Sequence, residues 1–239
     1  MSPSTTQHLK THPPKLLSQR AHRQLIGWLG FFLPLLLYIV SGLRPTAGLV
    51  SWRLLPSVSA YYFTGAVGIF VGVLFAMSLF LLTYQGYQGV VIDRVIGRIA
   101  GCAALGVALF PTAAPVGTTA PSWWTPACRT VHYVSAIVLF LSFIVFAIWL
   151  FRKSNIPRRK DRPKEKQRRD TVCLICGIAM ILGLLWAAIS IITQDGRIFW
   201  PETIAILSFA ISWLAKGEAD VSVRRKIGRL ASIAEIRSG

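Results

Sequence analysis

Residues 129–169 read RTVHYVSAIVLFLSFIVFAIWLFRKSNIPRRKDRPKEKQRR, and this stretch decides the fold. From 131 to 151 it carries no Asp, Glu, Lys or Arg. It then breaks into ten cations: Arg152, Lys153, Arg158, Arg159, Lys160, Arg162, Lys164, Lys166, Arg168 and Arg169. A helix rises ~1.5 Å per residue, so about 20 apolar residues cross ~30 Å of hydrocarbon. Lysine and arginine concentrate in loops that stay in the cytoplasm. The stretch therefore reads as one crossing followed by its cytoplasmic end.

The same unit recurs on both sides. Five further apolar segments lie at 24–42, 57–84, 96–112, 171–193 and 199–216. The second falls in a run from Leu54 to Ile92 without a single charge. Arg98 and Pro111 frame the third, Asp170 and Asp195 the fifth; the sixth starts with Glu202 in its first turn and closes on Lys216. The first run follows a basic segment but is too long for a signal peptide and has no small-residue cleavage site, so it reads as a retained helix. Counting cations over alternate connections gives 22 on one side. They comprise Lys10, Lys15, Arg20, Arg23, Arg94 and Arg98, the ten after the fourth segment, and Lys216, Arg224, Arg225, Lys226, Arg229 and Arg237. The other side has four, Arg44, Arg53, Arg129 and Arg197. The expectation is an all-α, polytopic chain of six transmembrane helices with both termini in the cytoplasm of a bacterial inner membrane. A basic segment 1–23 precedes a membrane domain 24–216, and a basic tail 217–239 follows it.

Composition points the same way. Of 239 residues, 54% are hydrophobic and 15% charged, against roughly 25% charged in soluble domains. The net charge of +17 would suit nucleic acid, but these cations lie between apolar blocks rather than on a folded basic module. Nucleic-acid binding is excluded on that ground. Cys102, Cys173 and Cys176 sit in apolar segments, leaving Cys128 alone outside, so no disulfide framework is implied. The Cys173/Cys176 pair has no second ligand pair and reads as packing. Gly68/Gly72 and Gly97/Gly101 have the GxxxG spacing that lets helices approach closely. The loop 152–169 is a topology determinant on the inner leaflet and a candidate dock for anionic lipids. Apolar residues at 221, 223, 227, 230 and 233 among basic ones make the tail a candidate interfacial helix.

Polar groups collect at the outer side. Ser57, Ser59 and Tyr61 enter the second segment, His132 and Ser135 the fourth, and Glu202 the sixth. From Glu202 to Lys216 is about 21 Å along a helix axis, which leaves the carboxylate below the outer headgroups. An ionisable group at that depth is costly and by default functional. Helices 3 and 6 are expected to be short, leaving a concavity that the loop 113–130, with Trp123 and Trp124, can cover. A lone His132 cannot build a three-ligand zinc site, so no metal and no cofactor is expected. Beside Ser57 or Ser59 it has the ingredients of a general base, with Glu202 to orient it. Asp93 is expected to pair locally with Arg94 and Arg98, outside any site.

Several short motifs resemble a group of uncharacterised bacterial six-helix membrane proteins. They are Ser57-Val-Ser-Ala-Tyr-Tyr-Phe-Thr64, Tyr84-Gln-Gly-Tyr87, Ala108-Leu-Phe-Pro-Thr112, His132-Tyr-Val-Ser-Ala136, Trp200-Pro-Glu-Thr-Ile-Ala205 and Ser212-Trp-Leu-Ala-Lys-Gly217. More distantly, the serine opening helix 2, Phe-Pro closing helix 3 and histidine opening helix 4 are similar to DRAM/Frag-type membrane proteins. That resemblance implies lipid-related work by association only. The expectation is an outer-leaflet polar pocket of Ser57, Ser59, Tyr61, His132, Ser135 and Glu202 that binds a lipid or small amphiphile. The alternatives are a lipid ester or amide hydrolase or acyltransferase using Ser57 or Ser59, and a structural or regulatory membrane partner.

Overall fold

The computed structural model describes residues 19–86, 91–154, 156 and 158–217. The proposed tail helix and most of the basic N-terminal segment lie outside the described residues. Six helices carry the rest: α1 Gln19–Leu43, α2 Val67–Leu82, α3 Val91–Leu109, α4 Pro126–Ile148, α5 Lys164–Ile192 and α6 over 199–217. No β-strand occurs among the described residues. Three spans, Ala21–Leu43, Pro126–Arg152 and Lys164–Ile192, are long and apolar enough to cross a membrane. The outer face of α5 explains why water is the wrong solvent. Ile175, Ile178, Leu182, Leu185, Ile189 and Ile192 form one row along it, each 46–79% exposed. Contiguous apolar surface of that extent belongs against hydrocarbon.

Packing rests on close backbone approach. A Cβ built on Gly101 of α3 would lie 2.7 Å from the Leu82 side chain, and one on Gly97 would lie 3.0 Å from the Leu81 carbonyl of α2. α6 is seated the same way. Gly27 and Gly30 of α1 face Leu214 and Phe209, and Gly183 of α5 faces the Pro201 carbonyl. Ala205, Phe209, Ala210 and Trp213 of α6 are fully buried. Phe209 stacks on Phe143 of α4 with centroids 3.6 Å apart, and the Trp213 ring is enclosed by Tyr84, Phe146 and Phe151. By contrast, Gly68 and Gly72 meet nothing within 4 Å. Their spacing promised a helix contact, but the fold turns that face of α2 outward.

Charges gather at one end of the bundle. Asp170 receives Arg162 at 2.9 Å and Lys166. Lys216 donates to the Phe151 carbonyl at 3.1 Å. Asp93 pairs with Lys153 at 3.5 Å, an ion pair that ties α3 to the α4–α5 connection.

Several boundaries differ from the hydropathy reading. α1 begins five residues early, so His22 and Arg23 belong to it rather than to the basic segment before it. Arg23 is buried and its Nε donates to the Tyr84 hydroxyl at 3.3 Å. α5 starts at Lys164, which places the last four cations of the basic stretch on a helix. The largest correction concerns 57–84. Its first ten residues are not α-helix; they form a 3₁₀ turn, Ser59–Phe63, and an extended Thr64. Thr64 makes the joint, because its hydroxyl donates to the Tyr61 carbonyl at 2.8 Å and accepts the Ala66 amide at 3.1 Å. The short helix is therefore α2, with 16 residues or about 24 Å. α3 with 19 residues and α6 over 199–217 each reach about 28 Å, so these two are not the short ones.

Candidate functional site

The unwound segment before α2 is what builds the site. Ser57 accepts the Ala60 amide on its Oγ at 2.9 Å and so starts the 3₁₀ turn. Just upstream, the Pro56 carbonyl accepts the amides of Ile198 and Phe199, both at 2.8 Å. The first amides of a helix have no partner inside it, and Pro56 thus pins the start of α6 beside the turn. Glu202, one turn into α6, then reaches the turn's own free backbone. Its Oε2 accepts the Val58 amide at 2.6 Å. Non-helical backbone at this depth is tolerated where it lines a cavity and its polar groups are satisfied.

His132 joins from α4. It is 2% exposed. Its Nδ1 lies 2.7 Å from the Phe110 carbonyl at the end of α3, and its Nε2 lies 2.9 Å from Ser59 Oγ. A carbonyl only accepts, so Nδ1 carries the hydrogen, and in the neutral imidazole Nε2 accepts from the serine hydroxyl. Phe110 has a carbonyl to spare because Pro111 ends the helix there. Trp124 covers this corner, its Nε1 donating to the Thr112 carbonyl at 2.9 Å, whereas Trp123 is half exposed.

Ser59 and Glu202 form the polar pole of a cavity inside the bundle. Every other lining residue is apolar: Leu33 of α1, Val58 of the turn, Phe70, Leu74 and Met77 of α2, Val107 of α3, Ala136, Leu139, Phe140 and Phe143 of α4, and Ile206 and Phe209 of α6. The space open to the centre of a water-sized sphere is about 50 Å³. One water needs ~10–15 Å³ by that measure, so the cavity has room for a few waters or a slim apolar chain.

Of the six residues singled out by sequence, three meet: Ser59, His132 and Glu202. Ser57 is spent on capping the turn. Tyr61 is fully buried with its ring 6.0 Å from that of Phe199, and Ser135 packs against Gly106 of α3. None of these three lines the cavity. Asp195 stays at the surface beside Arg197. The apolar wall went unread, although helical spacing carries it: 136, 139 and 143 continue the face of His132, and 206 and 209 continue that of Glu202.

Two chemistries are open to this geometry, and electrostatics separates them. Ser59 and His132 have the contact a nucleophile and its base require. Acyl transfer, however, needs free donors where an oxyanion develops. The Val58 amide, beside the serine, is already taken by Glu202, whose carboxylate would repel the developing negative charge. The arrangement suits holding a polar head above an apolar chain. Among the described residues no three His, Cys, Asp or Glu side chains come together as a metal site. No family model matches the chain, and neither a curated protein nor a solved structure is significantly similar to it.

Proposed function

We propose that the chain is a six-span inner-membrane protein, with both termini cytoplasmic, that binds a lipid or small amphiphile in the cavity below Ser59 and Glu202. The single observation that carries the reading is the cavity's polarity: two polar side chains at one end and twelve apolar residues below them. Ligand sites combine mostly apolar walls with a few placed polar groups in this way. The orientation rests on the distribution of lysine and arginine, 22 to 4 over alternate connections. It puts the cavity's polar pole toward the outer leaflet. Exposed Arg158, Lys160, Lys164 and Arg168 remain available to anionic headgroups at the opposite end.

The test is saturable binding of eight-carbon amphiphiles to the purified full chain in nanodiscs. Ala136→Phe fills the cavity from α4 and is expected to lower affinity at least about tenfold, a loss of ~1.4 kcal/mol, with unchanged helical circular dichroism. Absence of saturable binding by any of them would favour a structural or regulatory role instead. A second reading, acyl transfer with Ser59 as nucleophile, is favoured by the 2.9 Å Ser59–His132 contact alone. Covalent capture of Ser59 by a fluorophosphonate would support it; the binding reading expects no adduct.

A further inference from the structure

Resting on the amphiphile reading, we infer that the ligand is a lipophilic cation: a slim apolar chain ending in an ammonium or similar positive group that sits against Glu202. Three observations carry this. First, Glu202 is the one ionisable side chain among the residues lining the cavity. Second, the cation that would ordinarily neutralise a carboxylate at this depth is not supplied by the described residues. No Lys, Arg or His of the described residues lies within salt-bridge reach of Glu202. Arg44, Arg53 and Arg129 at this end of the bundle are exposed, and Arg197 faces Asp195. The Val58 amide partly satisfies Oε2, and a carboxylate has acceptor capacity on both oxygens.

Third, the wall below is aromatic. Phe70, Phe140, Phe143 and Phe209 line the cavity, and their large apolar surfaces suit packing against the ligand's chain. An anionic head is opposed by the carboxylate, and a neutral hydroxyl gains a hydrogen bond from it but no ion pair. The length also constrains the ligand. Glu202 to Phe209 is two turns of α6, about 10 Å, close to the reach of an extended eight-carbon chain.

The experiment measures octyltrimethylammonium, octanol and octyl sulfate binding to the full chain in nanodiscs of zwitterionic lipid, for wild type, Glu202→Gln and Ala136→Phe. The expected result is that wild type binds the ammonium at least about tenfold more tightly than the alcohol and the sulfate most weakly. Glu202→Gln should lose the preference for the ammonium over the alcohol, read as the ratio of the two affinities in the same variant. Equal wild-type affinities for the ammonium and the alcohol, or a preference surviving Glu202→Gln, would overturn the charge assignment while leaving the pocket intact. Failure of all three amphiphiles to bind wild type would overturn the pocket itself. If Glu202→Gln does not fold, the wild-type ranking of the three still decides.

Discussion

Glu202 stands where a carboxylate is costly, one helical turn inside a bundle whose surface is apolar. The depth argument from Lys216 picks it out from sequence alone, and His132 with Ser57 or Ser59 follow among the polar residues sharing its side. What sequence does not disclose is the group that receives it. Val58 is an anonymous valine in an apolar run; only the unwinding of 57–66 makes its amide a donor. The three residues also differ in what their loss should cost. Ser59→Ala removes one hydrogen bond to His132, worth about 1 kcal/mol. His132→Leu removes both that bond and the one to the Phe110 carbonyl, about 1 kcal/mol each. Thermal unfolding of the full chain in detergent should therefore rank His132→Leu below Ser59→Ala, and equal losses would contradict the bridging geometry.

Among the elements, the six helices were legible because apolar runs and basic stretches alternate. The break before α2 was not. From Leu54 to Ile92 there is no charge to punctuate the run, and hydropathy scores an apolar 3₁₀ turn as it scores a helix. Spacing was equally blind to direction. Gly68/Gly72 and Gly97/Gly101 are the same motif, yet one faces away from the bundle and the other forms the α2–α3 seam. The contrast is testable. Gly101→Leu drives a side chain into Leu82 and should destabilise by ~1–3 kcal/mol through overpacking. Gly72→Leu meets open space and should stay within ~0.5 kcal/mol of wild type. Unfolding in mixed detergent micelles measures both, and similar losses would refute the assigned seam.

For the whole molecule, the two polar ends of the bundle have different work. One end binds its own charges together, Asp170 with Arg162 and Lys166, Asp93 with Lys153. The other leaves a carboxylate over a cavity. Six crossings in the proposed orientation turn the second end outward, where an amphiphile in the outer leaflet can meet it. Substituted-cysteine labelling tests this most directly, with Cys102, Cys128, Cys173 and Cys176 replaced by alanine. Val116→Cys reports the α3–α4 connection beside His132, and Lys160→Cys the basic α4–α5 connection. A membrane-impermeant maleimide should label Val116→Cys in intact spheroplasts and Lys160→Cys only after permeabilisation. Labelling of both from one side, or of Lys160→Cys alone in intact spheroplasts, would contradict the account.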